Sequence, residues 1–221
     1  MSEAQRLNDL RGSSRKVGFL GAGGQAIEML DYCQDEVQFF AVERQFLQSE
    51  EHVPRTVDIA EPGEAFAQSP VIAAIGAPGL KRMLLDRWAG VHYGRVIAAD
   101  ATIAASARIG AGVVIAPGAK VMARVVLGDH VLVNTGAIIS HECVVGNYAT
   151  VSPGAALGGR CILEQGVFVG IGATLRDGVR IGEGAVIGAG AVVIDDVAPG
   201  TVVVGSPSRE LRKLDDWLTA L

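Results

Sequence analysis

The feature that most constrains this chain is a six-residue period that runs unbroken from residue 97 to 197. Every sixth residue from Ile97 through Ile139 to Val193 is aliphatic, seventeen in a row. Four positions further on in each hexad stands a second column, from Ala101 through Cys143 to Val197, in which all seventeen are Ala, Val or Cys. Self-similarity on this scale predicts a solenoid. Each hexad supplies one short strand and one corner. Three hexads close one triangular coil, which stacks on the next at a strand spacing of about 4.8 Å. The aliphatic residue fills the interior and the small one packs inside the corner. Glycine follows at corners that need positive φ. Such a stack buries its core only against neighbouring coils, so its ends need caps.

Composition agrees. The chain has 221 residues with 29 glycines and only 5% aromatics, which suits stacked strands better than a helical bundle. A net charge of −5 excludes the basic face that nucleic acid requires. No apolar run approaches the roughly 20 residues of a membrane span. Residues 1–15 read as a polar leader without the apolar core of a signal peptide. Three cysteines, 33, 143 and 161, are an odd count with no metal-ligand spacing, which predicts reduced thiols in the cytoplasm. Cys143 and Cys161 stand one coil apart in the small-residue column and read as core.

Ahead of the repeat, residues 16–95 follow a different grammar. KVGFL (16–20), VQFFAVE (37–43) and VIAAIG (71–76) read as strands. AIEMLDYC (26–33) and PGLKRMLLDRWAG (78–90) read as helices, and GAGGQA (21–26) is a glycine turn. Alternating strands and helices predict a small Rossmann-like α/β unit on a parallel sheet. Residues 96–207 are then the β-helix. Residues 208–221 are expected to be a capping helix, N-capped by Ser208 with a stripe of Leu211, Leu214, Leu218 and Leu221.

One corner carries chemistry. In NTGAIISHECVVG (134–146), Ile139 and Cys143 point inward, so His141 and Glu142 face out. A carboxylate beside an imidazole raises its basicity. Taken alone, an outward histidine is more often a solvated corner than a base. His52 and His92 read as surface or interdomain residues, and His130 as another outward corner.

The run NTGAIISHECVVG, the GAGGQA turn and the terminal VVGSP (203–207) together resemble the hexapeptide-repeat N-acetyltransferases of nucleotide-linked 4-amino sugars. Their relatives include sialic-acid O-acetyltransferases. The resemblance covers about residues 16–213. It implies a left-handed coil, a homotrimer, and acetyl-CoA as cosubstrate held between neighbouring coils, with no metal. It implies His141 as general base, Glu142 as its acidic neighbour and Asn134 as an active-site amide. For the cofactor it implies Gly159, whose N–H would face the thioester, with Ile171 and Ala189 along the pantetheine path and Pro207 near the adenine. Thr150 stands where relatives carry a second, cofactor-contacting histidine. Arg209, Arg212 and Lys213 stand either near the phosphates or on a solvated basic face.

For the nucleotide-linked amino sugar, the resemblance implies Gly23 and Gly24 amides at the diphosphate, a helix N-terminus suiting an anion. Gln25 stands where relatives often have histidine. Glu43 and Arg44 stand where UDP-sugar relatives have two acids, which turns the expectation toward GDP. Gly76 and Lys81 match a further substrate loop. The reading is acetylation of GDP-perosamine for surface glycan; UDP- or dTDP-amino-sugar acetylation and sugar O-acetylation are the alternatives. A zinc site of the carbonic-anhydrase type needs three histidines, and the repeat offers only His130 and His141. A pure scaffold would need neither the glycine turn nor the His–Glu corner.

Overall fold

The computed structural model describes residues 16–47, 55–90 and 92–220. The expected polar leader, His52 and Leu221 fall outside them. The N-terminal unit runs β1 (Lys16–Leu20), α1 (Gly24–Tyr32), β2 (Glu36–Val42), β3 (Thr56–Asp58), α2 (Glu64–Ala67), β4 (Val71–Ala73) and α3 (Pro78–Arg87). Its four strands are parallel in the order β3-β2-β1-β4. Pro78 opens α3 at a position where a missing N–H costs nothing. Phe39, fully buried, stacks on Trp88, and its ring leaves no room for a Cβ at Gly18.

From Val96 onward the chain is a left-handed parallel β-helix of two-residue rungs in three sheets. Each rung pairs in parallel with the equivalent rungs of the coils before and after it; Ile138, for instance, lies between Lys120 and Ala156. Both expected columns line the interior. Every member is buried except Ile109, which is half-buried against the same core. Cys143 and Cys161 are free and buried there, as core residues.

The N-terminal unit sits on one sheet of the coil. Val96, Val114 and Leu132, on its outer face, join Val17, Phe19, Ala26 and Ile72 in one core. At the adjoining corner the His130 ring stacks on Tyr148 and meets Tyr93 edge-on. His130 is therefore only 7% exposed; the expected outward corner is covered by the docked unit.

The expected C-terminal helix does not form. Thr201–Val204 adds to the coil beside Val186–Ile187, and Arg209–Lys213 folds back antiparallel upon it. The last coil presents unpaired backbone groups along its edge, and a returning strand satisfies them where a helix would not. Leu211, a member of the supposed apolar stripe, is 61% exposed. The tail then crosses to the N-terminal unit. The Gly79 N–H donates to Leu218 O at 2.7 Å, and Arg82 lies 4.1 Å over the Trp217 ring. Trp217 itself packs where Gly166 and Gly184 lack side chains. The cap is a hairpin and a strap.

Because the corner column is close-packed, Ala155→Leu should destabilise the protein by about 1–3 kcal/mol through overpacking. Exposed Lys120→Ser should stay within about 0.5 kcal/mol of the parent. Urea unfolding monitored by circular dichroism checks both; equal effects would contradict the assigned interior.

Candidate active site

Two features of the surface carry chemistry. They lie on successive corners of the coil.

The first is the junction of the glycine turn with the coil. β1 is followed by Gly21, whose φ of 96° only glycine adopts freely, and the chain enters α1 through exposed Gly23 and Gly24. Space beyond both glycines is open, so the Gly24 and Gln25 amides, without partners among the described residues, can face an anion. Gln25 reaches across to the coil: its Oε1 accepts from Asn134 Nδ2 at 3.1 Å. Its own Nε2 is buried with no partner among the described residues. Asn134 is held in turn by Oδ1 accepting the Thr135 N–H at 2.7 Å.

A cleft of about 360 Å³ opens beside the turn, lined by Gly21, Ala22, Gly23, Val42, Glu43, Phe46, Ile75, Leu80 and Leu84. Glu43 also borders a second cleft of about 830 Å³, with Arg44, Gln45, Asp58, Ile59, Ala60 and Arg87. The two expected residues are both ion-paired. Glu43 takes Arg87 on one oxygen and Gln45 Nε2 on the other. Arg44 bridges Asp58 at 2.8 Å and Glu61 at 2.9 Å. The Ala60 N–H and then the Arg44 guanidinium hold the Asp58 carboxyl below its ordinary value.

Three expected site residues are structural. Lys81 is buried and its Nζ donates to the carbonyls of His130, Tyr148 and Ala149 and to Thr150 Oγ1. Thr150 Oγ1 donates onward to Gly76 O at 2.7 Å. Lys81, Thr150 and Gly76 thus form the seam between the two units. Lys81 and Thr150, 1% and 2% exposed, face this seam and not solvent. The reason is topological: α3 lies against the coil corner and carries the Lys81 amino group onto the His130 and Tyr148 carbonyls.

The second feature is the His141 corner. Glu142, as a carboxylate, can only accept, so the 3.2 Å contact with Oε2 makes His141 Nδ1 the donor, and in the neutral ring Nε2 then carries the lone pair. The His141 side chain is 48% exposed. Its ring folds over Gly159, one coil on; a Cβ at 159 would lie 2.5 Å from Cε1 and 2.6 Å from Nε2. Gly159 is therefore a cradle for the imidazole. Its N–H, expected at a thioester, donates instead to Asp177 Oδ1 at 3.0 Å.

Ile171, 61% exposed, and Ala189 share the corner of Asn134, not that of His141, two and three coils further on. The glycines of that corner, Gly136, Gly154, Gly172 and Gly190, face open space. Pro207 is exposed at the turn of the final hairpin. Asp58, Arg87, Arg124 and Asp177 were not foreseen. Spacing held a signal for two of them: Arg124 stands one coil before Glu142, and Asp177 stands two coils after His141.

A β-helix with an outward His–Glu corner and a glycine-turn α/β unit defines an acyltransferase architecture. The bacterial transferase hexapeptide (six repeats) model matches residues 160–195. The acetyltransferase domain of PglB from Neisseria gonorrhoeae is 30% identical with a TM-score of 0.80, over 89% of this chain and 100% of that one. PerB from Caulobacter crescentus, solved with CoA and GDP-perosamine, is 28% identical with a TM-score of 0.78, over 90% and 99%. WeeI from Acinetobacter baumannii is 25% identical with a TM-score of 0.79, over 88% and 99%. No curated protein sequence matches the chain. The chain belongs to the hexapeptide-repeat sugar N-acetyltransferases. It is an acyltransferase.

The seam that carries the glycine turn holds a buried imidazole, which couples its stability to pH. Burial lowers the His130 imidazole from 6.5 to about 4, and its Nδ1 has no partner among the described residues. Between those values the unfolded chain binds a proton that the folded chain does not, so stability falls as pH drops from about 6.5 to about 4. Thermal unfolding of His130→Phe across this range should show a flatter acid limb than the parent; parallel curves would contradict the assignment.

Proposed function

We propose that the protein transfers the acetyl group of acetyl-CoA to the 4-amino group of a nucleotide-linked 4-amino-4,6-dideoxy sugar. GDP-perosamine is the substrate the reading favours, for surface glycan assembly. The observation that carries the reading is the pair of adjoining corners. One joins the anion-facing glycine turn to Asn134 through Gln25. The next holds an imidazole with a free Nε2. Glu43 and Arg44, where UDP-sugar relatives have two acids, border the larger cleft, and PerB, at 28% identity, was solved with GDP-perosamine. A nucleotide sugar and acetyl-CoA meet in the cytoplasm. Among the described residues no helix is long and apolar enough to cross a membrane.

Acetyl-CoA supplies an activated thioester. The sugar nitrogen forms the new bond to the acyl carbon as the bond to sulfur breaks. His141 Nε2 accepts the proton from nitrogen and delivers it to the departing thiolate, so the amide and the thiol both leave neutral. General-base help of this kind is worth about 10²–10⁴-fold. Glu142 fixes the tautomer. Asn134 and Gln25 orient the sugar, which converts encounter into proximity.

The corner placement supports a site assembled between subunits. Within one chain, His141 is separated from Asn134, Ile171 and Ala189 by a full rung, Ile138–Ile139. On the sheet beyond His141, Val126, Val144 and Ile162 present an apolar outer face, with Val144 42% exposed. A homotrimer packed on that face sets His141 of one copy toward the open glycine corner of another, with acetyl-CoA in the groove between.

In a thiol-release assay with acetyl-CoA, GDP-perosamine should turn over faster than UDP- or dTDP-linked 4-amino sugars, and free sialic acid should not react. His141→Asn should lose about 10²–10⁴-fold in kcat while keeping the parent's sedimentation coefficient. Parent-like turnover by that variant overturns the base assignment, and turnover of sialic acid alone overturns the amine substrate.

A further inference from the structure

Five non-glycine residues among those described occupy the left-handed region: Arg124, His130, Glu142, Tyr148 and Arg160. Elsewhere the corners of the coil place glycine there, because a Cβ clashes with its own carbonyl in that conformation. Sequences retain such residues where the side chain is needed. His130 and Tyr148 are accounted for: their rings seat the N-terminal unit. The other three are consecutive members of a single column, each one coil from the next, and they bracket His141.

Their contacts divide the work. Arg124 Nη2 meets Glu142 Oε1 at 2.8 Å, while the second oxygen, Oε2, meets His141 Nδ1 at 3.2 Å. Arg160, one coil above, turns away to Asp177 Oδ2 at 3.6 Å. Asp177 holds the Gly159 N–H, and Gly159 is the floor under the imidazole. The charged groups around His141 are thus Glu142 on its own corner, Arg124 on the coil before, and Arg160 and Asp177 on the coils after. Among the described residues only Arg124 touches the carboxylate that touches the imidazole. The Arg124 backbone is itself pinned, its N–H donating to Ser106 Oγ at 2.9 Å.

We propose that Arg124 is a positioning residue for the acetyl transfer: by clamping one oxygen of Glu142 it fixes the other on His141 Nδ1, and so holds the neutral ring in its Nδ1–H form with Nε2 facing the sugar amine. A carboxylate gripped on one oxygen is held against rotation into solvent, which keeps the other oxygen on Nδ1–H. This rests on His141 being the base.

Arg124→Gly tests it, because glycine relieves the backbone and separates activity from folding. The melting temperature should equal or exceed the parent's, while kcat falls about fivefold, the scale of losing one solvent-exposed ion pair, with KM for both substrates unchanged. Arg124→Lys should recover kcat to within about twofold of the parent. In imidazole ¹⁵N spectra, Arg124→Gly should shift His141 from the Nδ1–H toward the Nε2–H form. Parent-like kcat and an unchanged tautomer in Arg124→Gly overturn the proposal, as does a loss confined to KM. A His141→Asn variant that turns over normally would instead overturn the base reading beneath it; the tautomer shift is measured without turnover and keeps the two failures apart.

Discussion

Each rung of the coil hydrogen-bonds to the equivalent rung of the next coil, and this ladder governs everything else in the molecule. The Ile138 N–H donates to Ala155 O and the Ser140 N–H to Leu157 O, and the pattern repeats along the stack. Backbone donors buried between coils have no other partners, so the period cannot slip without leaving them unpaired. Any side chain therefore has fixed neighbours: its counterparts one coil before and one coil after. Contacts such as Arg124–Glu142, or the His141 ring over Gly159, follow from this arithmetic as much as from chemistry.

The three corners share one backbone shape but do different work. One is glycine at Gly118, Gly136, Gly154, Gly172 and Gly190, which leaves a flat, open ridge. A second uses His130 and Tyr148 to seat the α/β unit. The third carries the base and the ion pairs that hold it. Glycine is the low-energy choice at all of them, so the departures mark where side-chain function outweighs backbone strain. The seam formed by Lys81, Thr150 and Gly76 then fixes the glycine turn beside Asn134.

The coil was legible almost to the residue, because one physical requirement, inward burial every sixth position, writes itself directly into the chain. The strand–helix alternation of the α/β unit was legible too, though the short β3 and its Asp58 were not, since so brief a strand gives no periodicity. His141 and Glu142 stood out as an outward pair. For Lys81 and Thr150 the sequence offered only resemblance, and their burial could not be read from it, because it depends on which corner α3 lies against. His130 was misplaced likewise, as an outward corner that a second unit covers.

The C-terminal segment shows the limit most clearly. Its leucine spacing satisfies a helix, yet the edge of the last coil recruits Arg209–Lys213 as a strand. Local pattern competed with an unpaired edge, and the edge prevailed. The sequence by itself thus determined the repeat, its interior and the outward placing of the His–Glu pair. Tertiary structure alone decided which corner each polar residue shares, which ion pairs form, and how the chain ends. The reason is that burial periodicity is local and additive along the chain, whereas hydrogen-bond and charge pairing depend on what the fold brings alongside.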